Sequence, residues 1–309
     1  MANAPFPIHP TYTGIAIAYR NAELIADQAL PRATPVASRE FRYNQFPVEE
    51  VLTVPDTRMN RRSEANTIEL TATEVPGKVS DYALSDLVPN QDITDAPTGY
   101  DPMAHATEYV ADIMSLDREV RVANLLFGAG TYPAGYKTQL AGTSQWSHAD
   151  ADPFQAQWDA LDIPLIRPNT IIYGQATWNK IATHPKLISK LYGSASTRGK
   201  ARLQDLAEEL EVERILVGKA RVNTARKGQA ANLQRTWGKH AAMLYLNPLA
   251  NNERGMTFGM TVPKGARATR IIPEPKIGIG GSQRVQVEEQ LSEHIVAANC
   301  GYFFQDAVA

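Results

Sequence analysis

Three rhythms of apolar and polar positions run along the chain. Between Thr67 and Val75, Ile68, Leu70 and Ala72 alternate with Glu69 and Thr71, the period-two pattern of a strand with one buried face. Together with the strand-like segment Tyr43–Val54 it predicts a hairpin with a polar tip, "PDTRMNRRSEAN", carrying Asp56, Arg58, Arg61, Arg62 and Glu64. Between Ala104 and Phe127 the rhythm lengthens. Tyr109, Ile113, Leu116, Val120, Ala123 and Phe127 recur at three- and four-residue steps, which predicts one long amphipathic helix with that stripe inward. Asp101-Pro102 supplies an N-cap and a first-turn proline, and Gly128 ends the run. At 1.5 Å per residue this helix spans roughly 35 Å, long enough to act as a spine. The third rhythm is a continuous apolar run. Ile171, Ile172 and Tyr173 follow Pro168-Asn169 and stop at Gly174, which fits a strand covered on both faces.

The remaining pattern is mixed. A short helix is predicted over Ala176–Thr183, ended by His184-Pro185 because the residue before proline is pushed out of the α region. Leu203, Leu206 and Leu210 mark one face of a further helix that leads into a strand around Arg214–Val222. "AAMLYLNP", "TFGMTVP" and "ARATRIIPE" read as strands, and "QRVQVEEQLSEHIVAANCGYFFQDAVA" at the end as two more. Runs of each type, without regular strand–helix alternation, place the fold in the α+β class. Residues 1–38 are proline-bearing and extended. They either fray in solvent, as termini do unless tied down, or lie as an arm on something else. The hairpin poses a similar choice, because an isolated two-stranded ribbon is marginal in water. Either it folds back on its own body or another chain covers it.

Composition narrows the function classes. The formal net charge of the 309 residues is −2, with 31 Lys and Arg against 33 Asp and Glu, so no global basic field draws nucleic acid. Cys300 is the single cysteine, which excludes an intrachain disulfide framework and a multi-cysteine metal site. The first residues lack a signal-peptide pattern, and no apolar run reaches the length of a membrane span.

Several stretches imitate catalytic motifs. "GSASTRGKA" has five residues between Gly193 and Gly199 and Ala201 after Lys200, against the four residues and Ser or Thr of a phosphate-binding loop. "KIGIGGSQR" leads into a strand pattern instead of a helix, which predicts a hairpin. His148, Asp150 and Asp152 alternate in a loop without the spacing of a calcium site. Gly174 alone is too little for a phosphate cradle, so the turn around it is read as a structural corner packed by Trp178. Cys300 sits in an apolar strand, where a structural thiol is expected. No cofactor, metal or catalytic residue is assigned, and the chain is not expected to be an enzyme. An α/β enzyme using one of the glycine loops is the least favoured alternative.

The order of elements is more specific than any motif. An arm, a long hairpin, a spine helix, "RPNTIIYGQATWNKIATHPKLISKLYG", a helix into "ILVGKARVN", "WGKHAAMLYLNP" and a closing strand resemble the major capsid proteins of tailed bacteriophages, with the Hong Kong 97 fold, and within them the Mu-like phages. The resemblance covers roughly residue 40 to the end. It implies an N-terminal arm at 1–38, an extended loop at 39–80 and a peripheral domain at 81–167 with its spine helix at 104–127. It further implies an axial domain at 168–285 and a closing segment, 286–309, returning to the peripheral domain. The implied function is self-assembly into pentamers and hexamers of an icosahedral head around double-stranded DNA. The implied site is an assembly in the host bacterial cytoplasm that ends in the virion capsid. An encapsulin-like compartment shell or another phage structural protein is the alternative.

The implied partners are the chain itself, a portal protein, a decoration protein and packaged DNA met non-specifically on the inner face. The chain begins almost at the arm, so the resemblance implies either a separate scaffold protein or a scaffolding segment already removed, and Met1 favours the separate scaffold protein. No lysine lies between Arg39 and Gly77, so lysine crosslinking through the loop is not expected. Asp56, Arg58, Arg61, Arg62 and Glu64 are the candidate inter-subunit contacts, with a merely solvated tip as the alternative.

Overall fold

The computed structural model describes residues 10–13, 23–45, 54, 56–58, 64, 67, 73–193, 199–226, 228–249 and 256–309. One helical turn, α1 (Ala26–Ala29), precedes two antiparallel strands, β1 (Glu40–Gln45) and β2 (Thr73–Lys78), in register from Glu40↔Lys78 to Gln45↔Thr73. Strand β3 (Ser80–Pro89) starts two residues later. A short helix, α2 (Asn90–Thr94), leads to α3 (Pro102–Leu126), 25 residues and about 37 Å long. Asp101 caps α3, its Oδ1 accepting the N–H groups of Met103 at 2.9 Å and Ala104 at 3.2 Å.

A five-stranded sheet follows. Its strands are β4 (Lys137–Gln139), β5 (Thr170–Gly174), β6 (Arg214–Gly218), β9 (Ala241–Leu244) and β13 (Gly301–Gln305), in the order β4-β13-β9-β5-β6. The pairs β4/β13 and β5/β6 are parallel and the others antiparallel. Helices α4 (Pro153–Ala160), α5 (Gln175–Ile181), α6 (Pro185–Tyr192) and α7 (Leu203–Glu209) belong to the same half of the fold. Two short strands, β7 (Arg221–Asn223) and β8 (Leu233–Arg235), pair only with each other. The β5 run is buried throughout, as its continuous apolar pattern requires. Ile171 and Tyr173 pack on one face with Ile181, Leu187, Leu206 and Leu210. Ile172, between them, points the other way, to Leu126, Phe303 and α1. Each such side chain contributes about 1.5–3 kcal/mol by leaving water.

The second sheet is built on β12 (Ser282–Ile295). One edge of β12 pairs with β3 from Ser282↔Pro89 to Leu291↔Ser80. The other edge pairs with β11 (Ala268–Glu274) and then with β10 (Gly259–Pro263). Helix α3 joins the two sheets. Its first half packs Met103, Ala106, Val110, Ala111 and Met114 against Val285 and Val287 of β12. Its last turns put Val122, Ala123 and Leu126 under the five-stranded sheet.

Four expectations change. The buried face of α3 includes Met103, Thr107, Val110, Met114, Arg118, Glu119 and Val122, whereas Tyr109 is 57% exposed and Ile113, Leu116 and Val120 are half-buried. The inward face carries two charged residues that pair in the interior, so counting apolar positions selected the neighbouring face. The boundary expected at 285 falls inside β12, whose 14 residues run without a breaker, and β10 and β11 join β12 instead of the five-stranded sheet. The closing strand β13 sits in the five-stranded sheet between β4 and β9, where its buried "GYFF" is covered. A single strand expected over Arg214–Val222 is two, interrupted at Lys219-Ala220.

Candidate assembly interface

The described arm lies on its own chain. Pro31 and Ala33 exchange backbone hydrogen bonds with Thr261 of β10 at 2.9 and 2.8 Å, and the Val36 N–H donates to Pro263 at 2.9 Å. Nearer the N-terminus, the Thr13 hydroxyl accepts the Thr269 N–H of β11 at 2.9 Å. Ile25 offers no side-chain cap to α1. The fully buried Glu119 carboxylate takes that place, accepting the N–H groups of Ile25 at 3.0 Å and Ala26 at 2.7 Å and the Trp237 indole N–H at 2.5 Å. Burial pushes the Glu119 carboxyl above its ordinary range, against the pull of these donors.

Beside it, Arg118 is 4% exposed and donates to Asp27 and to the Thr261 hydroxyl, the latter at 3.1 Å. Arg32 bridges Asp27 at 2.9 Å and Glu289 at 2.5 Å, and Arg267 closes on Glu289 at 3.1 Å. Burial alone would raise Asp27, but Arg118 and Arg32 outweigh it and hold the carboxyl at about 2. The pair favours the charged form of both groups, but burial of the guanidinium outweighs that gain and lowers the Arg118 pKa. Sequence reasoning missed this clasp because each member looked like a surface charge. The available signal was Arg118-Glu119 lying between Met114 and Val122 on one helix face.

The hairpin begins on the same body. The Val79 N–H donates to Arg39 at 2.9 Å, and Arg39 pairs with Asp81 of β3. Across the β1–β2 ladder the Phe41 ring covers Gly77, where an added Cβ would stand 2.5 Å from the ring. His294 meets Phe41 edge-on at 5.3 Å and Tyr43 at 5.6 Å, which fixes the ladder's root against β12. Of the tip candidates, Asp56, Arg58 and Glu64 are exposed, and the Arg58 N–H donates to Asp56 Oδ1 at 2.9 Å. Arg61 and Arg62 lie outside the described residues.

The imitation motifs have structural duties. Gly174 is a corner: its N–H donates to His240 at 3.2 Å, and an added Cβ would stand 2.3 Å from the Gly238 carbonyl oxygen. The Asp152 carboxylate caps α4 through the Gln155 N–H at 3.0 Å, and Asp150 accompanies His148 in a turn. Gly278, Gly280 and Gly281 have φ near +80° and turn β11 into β12. Burial pushes the Cys300 thiol to about 11, away from nucleophilic use.

No family model matches the chain. It is 43% identical, over the whole of both chains, to the major capsid protein of Pseudomonas phage JBD67. It is 25% identical to the major capsid protein of Burkholderia phage BcepMu, covering 96% of this chain and 95% of that one. Among solved structures, a phage-related protein from Bordetella bronchiseptica superposes with a TM-score of 0.78 at 24% identity, covering 98% of this chain and 99% of that one. The capsid of cyanophage P-SCSP1u superposes at 0.60 with 11% identity, covering 93% and 89%.

Proposed function

The chain belongs to the family of phage major capsid proteins, and from that premise we propose that it builds the head by the Hong Kong 97 plan. It is a structural protein of the virion capsid. The full-length similarity to a phage capsid protein carries this reading and favours a phage head over an encapsulin-like compartment. In the proposed plan β3, β10, β11, β12 and the spine helix form the peripheral body, and the five-stranded sheet with α4–α7 forms the axial body. This division replaces the boundary at 285. Copies would close into pentamers and hexamers, with scaffold, portal, decoration protein and packaged DNA as further partners and no catalytic step. Rings of this kind need heterologous contacts, in which two different patches of one chain meet.

Residues 39–80 would reach from the Phe41–Gly77 root over a neighbour, where Arg58, Arg61 and Arg62, with Asp56 and Glu64, set register by pairing with opposite charges. Electron microscopy of the purified protein, expressed alone and then with its neighbouring genes, tests the function. Closed shells, tubes or rings are expected, and a uniform monomer under both conditions would overturn it. Arg61→Glu tests the loop. The variant is expected to stay folded by circular dichroism and to yield no shells, whereas normal particles would remove the loop tip from the interface.

A further inference from the structure

Charge is divided sharply around β6. Residues 205–213 hold five acidic side chains and no basic one, and residues 214–240 hold seven basic side chains and no acidic one. Apart from Arg214, which opens β6 beside Glu213, the cations lie beyond the far end of this five-residue strand, about 16 Å from the acidic block. That is twice the distance, about 8 Å, over which physiological salt screens charge. Within the acidic block Glu211 pairs with Arg167 at 3.7 Å, Asp205 accepts the Tyr192 hydroxyl and Glu213 accepts the Asn169 amide at 3.3 Å. Among the described residues Lys219, Arg221, Arg226, Arg235 and Lys239 form no ion pair. The exposed Glu208 and Glu209 meet no cation either.

The β7–β8 hairpin adds a second observation. Its ladder has three pairs, and one sets Arg221 directly opposite Arg235. Like charges facing across a ladder destabilise it, and a ribbon this short has no layer of its own to offset that. Leu233, on the same ladder, is 59% exposed. A hairpin with facing arginines and an uncovered leucine is completed by a surface that supplies both carboxylates and apolar cover.

We propose that the β7–β8 hairpin docks on a second copy of this chain, seating its cations on the acidic segment 205–213 of the neighbouring subunit. This contact rests on the shell reading and assigns it a residue-level ring contact outside the extended loop. A nucleic acid would neutralise the cations but offers no apolar cover for Leu233, and it supplies no cation for Glu208 and Glu209. A neighbouring copy satisfies both blocks. β6 is the end strand of its sheet, so each copy presents both halves of the contact at its margin.

A charge swap tests the contact. Lys219→Glu with Arg221→Glu is expected to lower the yield of sedimenting shells about tenfold, with the thermal midpoint of the unassembled protein unchanged. Arg226→Glu, outside the ladder, is expected to act in the same direction. Combining the first pair with Glu208→Lys and Glu209→Lys is expected to restore yield to within about twofold. Normal assembly of the first double variant, or no recovery in the swap, overturns the contact. Normal shells that retain DNA poorly and with altered salt dependence would assign the hairpin to nucleic acid instead. Failure of the unmodified protein to form shells in the same assay would remove the shell reading itself, and this contact with it.

Discussion

Arg118 and Arg221 show two fates for an arginine in one chain. Arg118 sits on the inward face of the spine helix, 4% exposed, and holds Asp27 and Thr261. Arg221 faces another arginine across a three-pair ladder and meets no described acid. The clasp around Arg118 finishes its chemistry inside one subunit. Each buried charge there has partners from the arm, the spine and β12, so the described arm stays on the body that made it. The β7–β8 hairpin instead shows charge that no described group balances. In the proposed shell contact that imbalance would be answered when the next subunit arrives. Buried, satisfied charge holds the frame of one subunit together, and the exposed charge of the hairpin is what the proposed joint would use.

Breaking the clasp gives the largest expected effect. Glu119→Ala orphans three buried donors, the N–H groups of Ile25 and Ala26 and the Trp237 indole. We expect a loss of about 3–5 kcal/mol in urea unfolding of the unassembled protein, with new protease cleavage in residues 23–36. An unchanged midpoint would show that the arm holds without it. A pH series sharpens the same comparison. The Asp27 carboxyl stands at about 2 in the fold against an ordinary 3.8, so its contribution is complete above pH 3.8 and lost as pH falls through about 2. Glu119 has the opposite sign. Its raised value means that its contribution is complete below 4.5 and declines as pH climbs through that raised value. Asp27→Asn should therefore be less stable than the unmodified chain at neutral pH and converge with it at pH below about 2. Equal stability at both pH values would take Asp27 out of the clasp. The smallest effect is expected where charge is exposed and paired. Arg42→Ala breaks a contact whose partners are 73% and 55% exposed, and the unfolding midpoint should move by less than about 0.5 kcal/mol. A larger change would mean that the β1–β2 root is held by more than Phe41, Tyr43 and His294.

Much of the fold was legible before the structure. The cap at Asp101-Pro102, the length of the spine, the buried run at Ile171–Tyr173 and the glycine hairpin before β12 follow from local rules acting on neighbouring residues. Strand β3 was not anticipated, because Ser80–Pro89 is exposed over most of its length and shows no clean alternation. The stripe on α3 was assigned to the wrong face for a related reason. Arg118 and Glu119 count as polar in any periodicity, yet both are buried because Asp27, Arg32, Trp237 and the N–H groups of α1 converge on or beside them from elsewhere in the chain. Of the tip candidates, Asp56, Arg58 and Glu64 are exposed where the sequence pattern put them. The charge blocks flanking β6 could have been counted from the sequence, but their separation and the Arg221–Arg235 pairing could not.

Local chemistry along the chain determined most of its helices, strands and turns, β3 excepted, where the spine starts, and that no short catalytic motif is complete. Those properties depend on residues a few positions apart, and periodicity, caps and glycines report them directly. Tertiary structure decided which sheet each strand joined, which face of the spine turned inward, and which charges found partners. Those outcomes depend on groups brought together from positions such as 27, 118, 237 and 289, whose meeting no local pattern encodes.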